Sequence, residues 1–112
     1  MEQPRLKAEI WVQAHIRRCS GLGIPVFVVR RGDATAGVVL IKLNTLGDGC
    51  IVFSPTRRGD GARIWLRATG AEPVDETEAD AYIARQVNFD PDLWVIEIED
   101  REGRHLLDAP VE

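Results

Sequence analysis

Apolar positions along the chain follow a helical period at the start, a two-residue period through the middle, and a helical period again before a final strand. At 100° per residue, Ala8, Trp11, Val12, His15, Cys19 and Leu22 fall on one face, with Ile16 at its margin. Pro4 suits the start of this helix. Gly21 and Gly23 supply a left-handed C-cap after Cys19 or Ser20, and Pro25 forbids continuation. Leu6 and Ile10 lie on the opposite side beside Arg17, where contact with another part of the domain is expected.

Four strand-like runs follow, at residues 26–30, 37–44, 50–53 and 63–67. The second is nearly continuous Val-Val-Leu-Ile-Lys-Leu, the mark of a central strand covered at least partly on both faces. The links Leu46-Gly-Asp-Gly and Arg58-Gly-Asp-Gly read as hairpin loops, so consecutive strands are expected to be antiparallel neighbours. In the fourth run Ile64 and Leu66 point one way, and Arg63, Trp65 and Arg67 the other.

Asp75 then opens a second helix, with Glu78 three residues on as a variant capping box. Acidic residues Asp75, Glu76, Glu78 and Asp80 load its first turns, where the macrodipole favours negative charge. Ala79, Tyr82, Ile83, Gln86 and Val87 form its inward face. Asn88 and Asp90-Pro91 stop it. The last strand, residues 93–99, alternates Trp94, Ile96 and Ile98 with Val95, Glu97 and Glu99. Together these elements predict an α+β fold in the order α-β-β-β-β-α-β. The expected sheet is antiparallel and mostly meandering, with five strands, or six if residues 105–107 add one. Both helices are expected on one face, and the helix before the last strand allows one parallel pair. If the fourth and fifth strands are neighbours, Arg63 and Arg67 would pair with Glu97 and Glu99.

Composition bounds the function more than it defines it. The 112 residues fit a single domain, 1–112, with an ordered core over about 5–107 and polar termini. A hydrophobic fraction of 45% and a charged fraction of 29% are those of an ordinary globular chain. The net charge of -4 disfavours a dedicated nucleic-acid or anionic-membrane binder without excluding nucleic acid through a local basic patch. Cys19 and Cys50 are too few for a disulfide framework. The polar start, Met1-Glu-Gln-Pro-Arg, has no signal-peptide core, and no run is long enough to span a membrane; a cytoplasmic location is expected.

Candidate chemistry is sparse. Arg30 and Arg31, and again Arg57 and Arg58, precede Gly-Asp turns after the first and third strands. Meandering strands would bring these loops to one end of the sheet as an anion platform, because arginine offers a planar donor fork. Their ordinary alternative is solvated loop charge. Trp65 between Arg63 and Arg67 is either an exposed indole that stacks on a ligand or a core residue covered by the C-terminal segment. His15 and Cys19 sit one turn apart but read as a core histidine and an inert thiol, since a metal site needs more ligands. Asp90, Asp92, Glu97, Glu99, Asp100 and Glu102 invite a metal-dependent hydrolase reading, yet each suits a turn or an outward strand position. No nucleophile elbow, phosphate loop or dinucleotide fingerprint is present. No cofactor is expected, and neither a catalytic residue nor a metal ligand is assigned.

Four segments carry a resemblance: Arg5-Leu-Lys-x-Glu-Ile-Trp, Arg17-Arg-Cys, Val29-Arg-Arg-Gly-Asp-Ala-x-Ala-Gly, and Phe89-Asp-Pro-Asp-Leu-Trp-Val-Ile-Glu-Ile-Glu-Asp. In this order the chain resembles a small proteobacterial family, domain of unknown function 1491, from about Arg5 to Leu106. The resemblance implies a short, stand-alone cytoplasmic bacterial protein and brings no activity or site residue with it. The reading that fits these features is a non-enzymatic protein-binding or adaptor module, using the Arg63, Trp65, Arg67 face or an open sheet edge. Self-association is the related possibility. The alternative is a nucleic-acid or phosphate-ligand binder built on Arg30, Arg31, Arg57 and Arg58. A small metal-dependent hydrolase is the third.

Overall fold

The computed structural model describes residues 6–112. Two helices, α1 (Ala8–Gly21) and α2 (Glu76–Phe89), sandwich a sheet of five strands: β1 (Val26–Arg30), β2 (Val39–Asn44), β3 (Cys50–Arg57), β4 (Arg63–Arg67) and β5 (Trp94–Glu99). The element order is the expected one. Within the sheet the order is β1-β5-β2-β3-β4. β2 and β5 run parallel, and every other pair is antiparallel.

Strand order corrects the sequence expectation in two places. β1 and β2 are not neighbours, because β5 inserts between them; and β5 does not touch β4, so the Arg63/Arg67 and Glu97/Glu99 ladder does not form. The reason lies in β5 itself. Trp94, Val95, Ile96 and Ile98 are all buried, so the strand needs cover on both faces, which only a central place gives. The α2 crossover, unlike a tight hairpin, lets it return parallel to β2.

The helices lie on opposite faces, not on one. Ala8, Trp11, Val12 and Cys19 of α1 pack on Val39, Ile41, Leu43, Phe53, Trp65, Ile96 and Ile98. Ala79 of α2 packs on Cys50 and Val52 from the other side, with Tyr82 and Ile83 beside it. The inward faces read from helical periodicity hold, except that Leu22 is exposed. Leu6 and Ile10 are exposed too. Neither helix has a side-chain cap, and the Asp75/Glu78 capping box is not made. At α1 the first amides are satisfied instead by loop carbonyls: Ala8 donates to Thr35 at 3.1 Å and Glu9 to Ala34 at 2.9 Å.

The acidic start of α2 has a second use that sequence reading missed. Lys42 in β2 points at this helix with only 4% of its surface exposed. Its ammonium donates to Glu76 and Asp80, each at 2.7 Å, and lies 3.3 Å from Glu97. Burial alone would lower its pKa. Hydrogen bonds to Asp80 and Glu76 and the charge of Glu97 outweigh that and hold it above the usual lysine range. The signal was a single lysine inside an apolar central strand, with two carboxylates four residues apart on a helix. Replacing Lys42 by Ala leaves Glu97 facing two other carboxylates with no cation. We expect a loss of about 3 kcal/mol in urea unfolding, with partial recovery when Lys42→Met is combined with Glu97→Leu.

Candidate functional site

The C-terminal ends of β1 and β3 share one end of the sheet with the N-terminal ends of β2, β4 and β5. There β3 outruns β2, with which it pairs only as far as Phe53, and continues to Arg57 with β4 as a two-stranded arm. Among the described residues, the β2 side of that arm has no strand partner beyond Phe53. Facing it are the start of α1 and loop 33–38. This loop is fixed by the Asp33 carboxylate, which accepts from the amides of Thr35 and Ala36. It also depends on Gly37, where a Cβ would come within 2.6 Å of the Asp92 carbonyl oxygen.

Between arm and loop runs an open groove of about 1670 Å³, lined by Lys7, Thr35, Arg57 and Arg63, with Trp11, Trp65 and Asp108 at depth. The lining carries three cations and one carboxylate in a chain of net charge -4. The carboxylate is already engaged. Asp108 accepts from the Trp11 indole at 2.8 Å and the Trp65 indole at 3.1 Å, with the Arg63 guanidinium 3.8 Å away. Burial would raise the Asp108 pKa, but the two indole donors and the Arg63 charge hold it below the usual range.

Asp108 belongs to the C-terminal segment, expected to be a loose polar tail. Instead Leu106, Leu107, Ala109 and Val111 pack against the core. Trp65 donates its amide to Pro110 at 2.8 Å and accepts from Glu112 at 2.7 Å, and Arg67 donates to Glu112 at 3.0 Å. Val111 forms a parallel bridge with Trp65, so residues 110–112, not 105–107, extend the sheet past β4. Trp65 is 1% exposed. Of its two sequence readings, the covered one holds, and the Arg63–Trp65–Arg67 strand offers no free indole face.

Three sequence-selected residues, Arg57, Arg63 and Trp65, thus meet at the groove. The rest are held elsewhere. Arg30 donates to the Pro91 carbonyl at 2.6 Å; Arg31 pairs with Glu9 at 3.1 Å and lies over the Trp94 ring; Arg58 pairs with Glu112 at 3.2 Å; Arg67 sits near His105. The two arginine turns do reach one end of the sheet. However, β5 and β2 separate them by three strand spacings, roughly 14 Å, and no four-arginine platform forms. The acidic residues around β5 are split too. Asp90 and Asp92 lie before its start, while Asp100, tied to Arg104 at 2.9 Å, and Glu102 lie past its end. Among the described residues no three His, Cys, Asp or Glu side chains are placed to share a metal.

His15 is fully buried and stacks on Trp11, with ring centroids 4.9 Å apart. Its Nδ1 accepts from Arg18 at 2.8 Å, and among the described residues its Nε2 has no partner in hydrogen-bonding geometry. Burial, then the Arg18 charge, lowers its pKa from 6.5 to about 4. Burial raises both the Cys19 and Cys50 thiols, so neither is an activated nucleophile.

Fold and groove define a three-layer α+β domain with a mixed sheet, one edge sealed by its own C-terminal segment and a basic groove beside that seal. The chain belongs to the DUF1491 family, described as a protein of unknown function, whose model matches residues 6–108. It is similar to a DUF1491 family protein from Caulobacter crescentus CB15 solved by crystallography, with 45% identity, 96% of this chain and 100% of that one covered, and a TM-score of 0.87. An NMR structure of a DUF1491 family protein from the same organism gives 45% identity, 98% and 99% coverage, and a TM-score of 0.85. Protein Atu0922 from A. tumefaciens is 28% identical over 95% of each chain, with a TM-score of 0.78. No curated protein matches the chain. Within the described residues no helix is long and apolar enough to cross a membrane.

A buried neutral histidine ties stability to pH. Because folding lowers the His15 pKa, its contribution is complete above pH 6.5 and is lost as pH falls through about 4. The loss amounts to about 3 kcal/mol over that interval. His105 is also lowered by burial and adds to it in the same sense. Denaturant titrations at several pH values should show this slope, reduced in a His15→Phe variant.

Proposed function

We propose that this protein is a binding module that holds an extended acidic segment of a partner protein in the groove between the β3–β4 arm and loop 33–38. The observation that carries the reading is the convergence of the Trp11 and Trp65 indole donors and the Arg63 guanidinium on one carboxylate, that of Asp108. The chain's own C-terminal segment illustrates the recognition: an extended backbone pairs with a strand edge while a carboxylate is read by indole and guanidinium donors. Beyond Asp108, the arm leaves a second strand edge without a partner among the described residues, on the β2 side of β3 after Phe53. Arg57, whose guanidinium donates to the Gly61 carbonyl at 2.8 Å, and Lys7 line the groove beside it, and among the described residues neither pairs with a carboxylate.

A phosphate or nucleic-acid ligand draws less support, because the turn arginines lie in two pairs separated by β5 and β2, and each donates to or pairs with a neighbour of its own. A hydrolase draws none from the acidic residues, which do not assemble.

The test is NMR titration of the full chain with an array of extended peptides, acidic and neutral. Acidic peptides should shift the Trp11 and Trp65 indole signals and the amides of Arg57 and Arg63. The Arg57→Glu/Arg63→Glu variant, still folded, should bind at least about tenfold more weakly, since charge-assisted contacts contribute about 1.5–3 kcal/mol each. Indifference to peptide charge, unchanged affinity in the variant, or an oligonucleotide binding the groove in preference to every peptide would overturn the reading.

A further inference from the structure

Among the described residues, nothing pairs with the sheet edge opposite the C-terminal seal. β1 pairs with β5 on one side only, and Phe27, Val28 and Val29 are 49%, 45% and 58% exposed. Three consecutive exposed apolar residues on an edge strand are what proteins usually avoid, because such an edge recruits another strand.

Hydrogen-bond phase shows which groups are available. Glu99 donates its amide to the Pro25 carbonyl at 3.0 Å, and the register continues Val26–Ile98, Phe27–Glu97 and Val28–Ile96. Antiparallel pairs alternate between bonded and non-bonded, so Phe27 directs its backbone groups at β5. Val26 and Val28 direct theirs out of the sheet. Side chains sort in the same way: Val26 and Val28 lie on the α1 face with Ile98 and Ile96, and Phe27 on the α2 face with Glu97.

We propose that β1 pairs with β1 of a second copy of this chain, antiparallel about a two-fold axis at Phe27. In this register Val26 opposes Val28 of the second copy, giving a hydrogen-bonded pair on either side of the axis. Phenylalanine meets phenylalanine on one face and valine meets valine on the other. A slip of one residue sets apolar side chains on opposite faces and loses the match. Charges agree as well. Arg30 and Glu99 occupy the same face at opposite ends of the β1–β5 pair, so the axis carries the Arg30 of each copy toward the Glu99 of the other. The register shift between Val28 and Arg30 limits the pairing to the Val26–Val28 stretch. A contact this short lies at or below the lower end of the roughly 1,200–2,000 Å² typical of specific interfaces, so monomer and dimer exchange with concentration. The groove plays no part in this contact.

Sedimentation velocity of the full chain over a wide concentration range tests it. The mass should rise from monomer to dimer as concentration increases, with the Val26 and Val28 amides gaining exchange protection. Val28→Pro removes an outward donor without taking one from β5, and Phe27→Lys places a charge on the axis. Each variant, with its fold checked by circular dichroism, should raise the dimer dissociation constant about tenfold or more. A chain that stays monomeric at every concentration, or a dimer that survives both substitutions, overturns the proposal.

Discussion

Two-sided burial of the parallel β2–β5 pair is the constraint on which the other elements depend. Ile41 and Ile96 face α1, while Val95 and Lys42 face the α2 side, and all four are buried. A pair of this kind cannot occupy an edge or leave a face in water, because much of its apolar surface would then be exposed at about 25 cal/mol per Å². Cover on one face comes from α1 and the C-terminal segment. On the other it comes from α2, whose approach is fixed by the carboxylates around Lys42. A buried ammonium needs that surround, since an isolated charge in such a place is strongly unfavourable.

The two sheet edges are treated in opposite ways. β4 is sealed by residues 110–112, whose backbone bonds to Trp65 and Arg67 satisfy groups that would otherwise recruit another chain. Among the described residues β1 has no such seal, and it carries Phe27, Val28 and Val29 exposed in a row. One edge is therefore closed by the chain itself, and among the described residues the other is not.

Beside the sealed edge, one carboxylate organises the groove. Asp108 ties the helix residue Trp11 to the strand residue Trp65, residues distant in the chain, and draws Arg63 toward the same point. Indole N–H groups need a partner when buried, and a single carboxylate satisfies both. Lys7 and Arg57 remain around the opening, so the groove is basic although the chain is acidic.

Local pattern alone determined the helices, the strands, their order along the chain and most of the inward faces, because helical and two-residue periodicities are written in neighbouring residues. It also marked Trp11, Trp94, His15 and Cys19 as core, and the family to which the chain belongs. Only the tertiary structure decided that β5 enters between β1 and β2, that the helices take opposite faces, and that Lys42 is enclosed by α2. The covering of Trp65 by residues 108–112 was decided there too. Each of these depends on which distant segments share a face. Alternation shows that a strand has two sides, but what lies against each side is settled by the burial that the whole chain can achieve at once.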